Sequence, residues 1–191
     1  GPRADRNCEV RSPKSDKKSS GLYRPPATVD LDRKMSVCWT ARARSGIIVP
    51  MLIQTDPLRE LTAQIFAAAG CDRSEADCIA RHLVDSNLCG FDSHGVIRIM
   101  QYVDNLRQGT VRPGQQMQVV RETETAAVVD GNLGFGQVIC EQAMELAAGK
   151  AKQAGMALVT IRNCGHMGRL GDWAEQLARA DLISLHFLNT T

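Results

Sequence analysis

Ala126-Ala127-Val128-Val129-Asp130-Gly131-Asn132-Leu133-Gly134-Phe135-Gly136-Gln137 carries a short apolar strand through a glycine-rich turn into a helix, and the fold class follows from it. Gln137 to Ala154 is made of strong helix formers, and Gly155 ends it. Met156 to Ile161 is then a nearly continuous apolar run, the pattern of a buried strand. Downstream, Gly168 to Arg179 reads as a shorter helix and Leu182 to Leu188 as another apolar strand. Upstream, Met117 to Arg121 is a strand joined to the first through Glu122-Thr123-Glu124-Thr125. The order ββαβαβ predicts an α/β layer, a mixed sheet with helices packed on it. Its last predicted strand leads straight to Thr190-Thr191, so the sheet is expected to be incomplete at the C-terminus, the chain being the front part of something longer.

Three helices are expected before any strand. Asp56-Pro57 caps and starts the first, whose stripe of Leu58, Leu61, Ile65 and Phe66 runs to Gly70. Ser74 with Asp77 opens the second, which carries Ile79, Leu83, Val84 and Leu88 and stops near Gly90. The third runs from Ser93 to the Gln108-Gly109 turn. Residues 1–50 are rich in Lys, Arg, Ser and Pro without a sustained period, and are expected to be a disordered or non-native extension, with Met51 near the natural start. The expected divisions are thus 1–50, a helical segment 51–114, and 115–191 as the first part of the α/β layer.

Charge and cysteine usage narrow the function classes. Residues 1–50 hold 11 Lys/Arg against 5 Asp/Glu, and residues 51–191 hold 12 against 16. The folded part has no basic excess, which argues against a nucleic-acid partner. The seven cysteines are irregularly spaced and form no C-x-x-C pair, which points to reduced thiols rather than a disulfide framework or a zinc finger. No apolar run reaches membrane-span length and no leader pattern opens the chain, so a cytoplasmic protein without a membrane partner is expected.

Two stretches carry candidate chemistry. In the third helix His94, Arg98 and Tyr102 are four residues apart, each step rotating only about 40°, so a continuous helix places them on one exposed face. Ile99, Val103 and Leu106, with Val96 and Met100, form the buried stripe opposite. An imidazole, a guanidinium and a phenol together suit a small carboxylate; a solvated polar face is the plainer reading. The second stretch is Asn163-Cys164-Gly165-His166-Met167-Gly168-Arg169, a loop after the buried strand. A histidine there is open to a ligand and exchanges a proton near neutral pH; a surface-loop histidine fits the spacing equally well. Cys164 and His166 are too few for a zinc site, and no metal is expected. His82 and His186 read as structural. Gly131-x-x-Gly134-x-Gly136 has the wrong spacing for a dinucleotide fingerprint, and backbone turning is the expected reason for its glycines.

Three segments together, Asp92-Ser93-His94-Gly95-x-x-Arg98 with Tyr102, Val129-Asp130-Gly131, and Gly165-His166-x-Gly168-Arg169-Leu170-Gly171, resemble the malate/L-lactate dehydrogenase type 2 family over about residues 51–191. The resemblance implies a non-Rossmann α/β fold, NAD or NADP as cofactor, a small carboxylate substrate, and a homodimer when full length. It implies hydride transfer to or from the carbon beside a carboxylate in a 2-hydroxy acid, 2-oxo acid or cyclic imine. Carried over, His166 is the acid/base histidine and His94 the histidine of the Ser-His-Gly motif, a proton donor in some members. Arg98 contacts the substrate carboxylate, with Tyr102 and Ser93 beside it. Thr190 falls where members have a polar residue touching the cofactor. Family members continue well beyond Thr191, so the rival expectation is a catalytically inactive fragment acting only through association.

Overall fold

The computed structural model describes residues 36–42 and 48–189, with side chains from 52 onward. Its first elements are β1 (Ser36–Arg42) and β2 (Ile48–Gln54), an antiparallel pair in unbroken register from Ser36 opposite Gln54 to Arg42 opposite Ile48. The sequence reading expected no element before Met51. The rest of the 1–50 reading lies outside the described residues.

Two helices follow, α1 (Thr55–Ala68) and α2 (Arg73–Leu88), both close to expectation. Their caps differ from it. Helix α1 begins at Thr55, so Asp56 sits in its first turn and does not cap it. Asp72 caps α2, its carboxylate accepting from the Glu75 N–H at 2.8 Å, which leaves Ser74 inside the helix.

The third predicted helix is broken. Two short 3-10 turns, Asp92–His94 and Val96–Arg98, are separated by Gly95 in extended backbone, and α3 begins only at Ile99 and ends at Gln108. Asn87 of α2 makes the break. Its amide donates to Asp92 Oδ1 at 2.6 Å, and its carbonyl accepts from the Val96 N–H at 2.9 Å. A Cβ on residue 95 would lie 2.2 Å from Asn87 Oδ1, so any other side chain would have to push Asn87 out of these two hydrogen bonds. One face shared by His94, Arg98 and Tyr102 on a continuous helix therefore does not exist. Tyr102 is 2% exposed and belongs to the core, while Met100, expected in the buried stripe, is exposed.

The α/β part has β3 (Gln118–Glu122) antiparallel to β4 (Ala126–Gly134), and β4 parallel to β5 (Leu158–Cys164), in the order β3-β4-β5. The crossover is α4 (Gly136–Ala154), closed by Gly155 in the left-handed conformation, and α5 (Leu170–Ala178) follows β5. This is the expected α/β architecture with a mixed sheet, and the alternation of elements dictates it. One core joins α1, α2 and α3 through Phe66, Ile79, Leu83, Tyr102 and Phe135. The second joins β4, α4 and α5 through Val129, Cys140, Ala143, Trp173 and Leu177.

Two strand expectations change. Strand β5 alternates between exposed and half-buried residues because it is an edge of the sheet. Leu182–Leu188 pairs with no strand among the described residues, and Ile183, Leu185 and Phe187 stand exposed. Its alternation of apolar side chains is that of a strand; the ladder that would make it one is missing. Cys71, Cys78, Cys89, Cys140 and Cys164 are free. No described helix is long and apolar enough to cross a membrane.

Candidate active site

His166 lies in the loop between β5 and α5, and three elements converge on it. From α3, the Tyr102 hydroxyl is 2.8 Å from His166 Nδ1. From the first turn of α4, Gln137 Nε2 donates to Tyr102 Oη at 2.9 Å. From the first 3-10 turn, the His94 ring lies 5.4 Å from the His166 ring, the planes tilted by 31°. His94 Nδ1 is in turn 2.9 Å from Ser93 Oγ. The structure thus brings His94, Tyr102 and His166 together, with Ser93 behind His94.

Proton positions follow from the donors. Gln137 donates into Tyr102 Oη, so the phenol proton is free to go to His166 Nδ1, which also receives the Gly168 N–H at 3.3 Å. The proton of a neutral His166 is then on Nε2, the nitrogen left for a reactant. Burial, followed by the positive charge of Arg98 and by His94, pulls the His166 pKa below the ordinary histidine value. Burial also pushes the Tyr102 phenol up to about 12, against the hydrogen bond from Gln137. Tyr102 therefore holds its proton throughout the neutral range and acts as a fixed partner of the imidazole.

Arg98 is set differently from the expectation. Its Nε donates to the Ser93 carbonyl at 2.5 Å and Nη1 to Gln101 Oε1 at 2.6 Å, which anchors the guanidinium over the 3-10 turn. Among the described residues it pairs with no carboxylate. A guanidinium without a counter-ion beside two imidazoles is suited to an anionic ligand.

The glycine-rich turn also has a different purpose from the one expected. At Gly136 a Cβ would meet the Gly165 carbonyl oxygen at 2.4 Å and that of His166 at 2.5 Å, and neither Gly131, Gly134 nor Gly136 has a positive φ. Positive φ falls instead on Asn132 and Leu133, where the pairing of β4 with β5 slips between Asp130 and Gly134. Close approach of two backbones is therefore what excludes side chains: the start of α4 lies against the histidine loop. The Gly165 N–H donates to the Gly134 carbonyl at 2.8 Å and ties the two together.

The far end of the loop is fixed by charge. Arg169, 8% exposed, binds Asp172 and reaches Glu175 Oε1 at 2.9 Å. Asp172 Oδ2 is 2.8 Å from Nδ1 of the buried His82. Burial works to raise the Asp172 pKa, but His82 and Arg169 outweigh it and hold the carboxyl below its ordinary range. His82 thus ties α2 to the start of α5. His186 lies 2.9 Å from Ser184 Oγ and touches none of the other site groups by hydrogen bond.

A cluster that sequence reasoning missed lies between α2 and α4, where Cys78, His82 and Glu141 bring one potential metal-ligating atom each within 4.8 Å of the others. Its charges are already matched: Arg81 binds Glu141 at 2.9 Å, the Cys78 thiol reaches Glu141 at 3.2 Å, and Asp172 takes His82 Nδ1. The cleft beside it, lined by Arg59, Glu60, Arg73 and Glu141, is likewise self-paired, with Arg73 on both Glu60 and Asp77. These contacts make it a joint between helices. Asn87, Gln137 and Asp172 were also missed, since nothing local distinguishes them from ordinary polar helix residues.

The fold and this site define a non-Rossmann α/β protein in which two neighbouring histidines, and an arginine with no carboxylate partner among the described residues, are assembled from helix breaks and a strand-to-helix loop. Residues 53–191 match the malate/L-lactate dehydrogenase family, and the chain belongs to it. It is 39% identical over 132 residues to hydroxycarboxylate dehydrogenase B of Escherichia coli, covering 69% of this chain and 37% of that protein. The structure of sulfolactate dehydrogenase from Methanocaldococcus jannaschii superposes with a TM-score of 0.66 at 36% identity, covering 69% of this chain and 38% of that one. Malate dehydrogenase from Pyrococcus horikoshii gives a TM-score of 0.63 at 35% identity, over 65% and 36% of the two chains. The chain spans about two fifths of the length of these relatives.

Proposed function

We propose that the complete protein transfers a hydride between NAD(H) or NADP(H) and the carbon beside the carboxylate of a small 2-hydroxy or 2-oxo acid. The substrates in the relatives' names, hydroxycarboxylate, sulfolactate and malate, share that group. The observation that carries the reading is the pairing of His166, its Nδ1 held by Tyr102, with a guanidinium that has no carboxylate partner among the described residues. Arg98 binds the substrate carboxylate and fixes the reacting carbon. In the tautomer whose Nδ1–H donates to Tyr102 Oη, His166 has its Nε2 lone pair free to take the hydroxyl proton in oxidation, and the imidazolium so formed returns that proton from Nε2 in reduction, with His94 and Ser93 beside it. The nicotinamide, when bound, supplies the hydride acceptor or donor. The donor set fits the proton half of that reaction. Thr190, assigned to the cofactor by resemblance, lies outside the described residues, and the homodimer and the cytoplasmic location belong to this same proposal.

The test is reduction of a panel of 2-oxo acids with NADH and NADPH by the complete protein. His166→Ala lowers turnover by about 10²-fold or more, the scale of a lost acid/base group, while Arg98→Ala chiefly raises KM. Near-normal turnover in the His166 variant refutes the assignment. A second reading is an inactive fragment acting only through association, and the exposed Ile183, Leu185 and Phe187 favour it for the 191-residue chain by itself. Saturable NADH or NADPH fluorescence titration of this chain argues against that reading.

A further inference from the structure

Gln137 has no exposed surface, and its two amide atoms are used unequally: Nε2 donates to Tyr102, while Oε1 meets no hydrogen-bond partner. A buried amide oxygen left unpaired is unfavourable, and turning the amide by half a circle exchanges its oxygen and nitrogen in nearly the same volume. The chain from Gln137 to His166 therefore has two hydrogen-bonded arrangements. In one, Gln137 donates to Tyr102 and Tyr102 donates to Nδ1, which suits a neutral imidazole with its proton on Nε2. In the other, Nδ1–H donates to Tyr102 Oη and the phenol proton goes to Gln137 Oε1. The second gives Oε1 a donor and moves Nε2 to the unpartnered position, and it is the one that accommodates imidazolium, because a doubly protonated ring, like the neutral Nδ1–H tautomer, has an Nδ1–H to place.

We propose that Gln137 is a positioning residue that, acting through Tyr102, supports the protonated form of His166 by offering its amide oxygen to the phenol. The inference rests on the reading of His166 as the proton carrier and adds to it a residue that touches no reactant. The histidine loop packs against the same amide. Gly168, at φ +76°, brings the loop so near that a Cβ there would lie 3.3 Å from Gln137 Nε2. The Gly168 N–H, at 3.3 Å from Nδ1, is the long contact and the one that loosens when Nδ1 carries a proton. The groups facing His166 are Tyr102 and Arg98 from α3 and the 3-10 turn before it, and His94 from the first 3-10 turn. No carboxylate is among them, so a buried neutral acceptor is what remains to stabilise the cation.

Nitrogen-15 NMR of the 191-residue chain labelled at its four histidines tests this without turnover or cofactor, a His166→Gln variant giving the assignment. Gln137→Leu removes the acceptor, and the His166 midpoint falls by about half a pH unit or more. Gln137→Glu restores an acceptor and raises it above wild type. Tyr102→Phe lowers it as Gln137→Leu does. A His166 midpoint and tautomer unchanged in Gln137→Leu, or the same direction of shift in the Leu and Glu variants, overturns the proposal. If Gln137→Leu does not fold, the Glu variant decides alone, since failure to raise the midpoint is then the refuting result. A shift as expected in a protein whose complete form reduces no 2-oxo acid would sink the dehydrogenase reading and leave this linkage standing.

Discussion

Substituting Gly136→Ala tests whether two backbones in contact hold the histidine loop in place. The new Cβ would lie 2.4 Å from the Gly165 carbonyl oxygen, 2.5 Å from that of His166 and 2.6 Å from the His166 carbonyl carbon. Carbon and oxygen in ordinary contact are about 3.4 Å apart, so the loop has to retreat by ~1 Å. Its neighbours are backbone atoms, which leaves no side chain to swing aside. Overpacking of this kind costs about 1–3 kcal/mol, or a fall in Tm of roughly 3–10 °C in a domain of this size. The same retreat draws His166 Nδ1 off Tyr102, now at 2.8 Å, by a distance that ends a hydrogen bond. Thermal unfolding followed by circular dichroism, with the His166 ring resonances recorded in parallel, reads both effects. An alanine variant melting within about 1 °C of wild type with unshifted His166 resonances would refute the close-approach account and return the turn to the role of a plain bend.

Four further outcomes are expected. Gly95→Ala pushes into Asn87 and lowers stability by about 1–3 kcal/mol; with Asn87→Ala the two effects are strongly non-additive in urea unfolding, whereas additive losses would mean the clasp is not a unit. Arg98→Ala removes a like charge and raises the His166 midpoint by NMR; an unchanged or lower midpoint contradicts the placement of the guanidinium. His166, with its folded pKa lowered, stabilises the fold fully above the unfolded value of about 6.5, and that contribution is lost as pH falls through the folded value; His166→Gln therefore flattens the stability profile there. Asp172→Asn leaves Arg169 and His82 with an uncharged partner and costs about 3 kcal/mol at pH 7. Because the Asp172 pKa is lowered on folding, the gap between the two proteins is full above about pH 4 and closes as pH falls through the folded value; a gap independent of pH would refute the pairing.

The sequence by itself determined the elements whose signals are local. The helix formers from Gln137 to Ala154 with Gly155 behind them, the paired strands around Glu122–Thr125, and the apolar stripes of the first two helices all appear within a few residues of expectation. It also singled out Ser93, His94, Arg98, Tyr102 and His166, because their types and spacing matched a family to which the chain belongs. Tertiary contacts decided the rest. A side chain 8 residues before Gly95 broke the third helix and moved Tyr102 from a presumed surface into the core, because Asn87 competes for backbone groups that the helix would otherwise use itself. Glycines that read as a turn became a contact surface, since what excludes a side chain at Gly136 is the histidine loop some thirty residues away in sequence. The apolar period at 182–188 was legible, but a strand also needs a neighbour to bond with, and no local pattern can supply one. Gln137 is the sharpest case: an ordinary residue in the first turn of a helix by composition, it carries weight only because folding buries it against Tyr102, where each amide atom has to be accounted for.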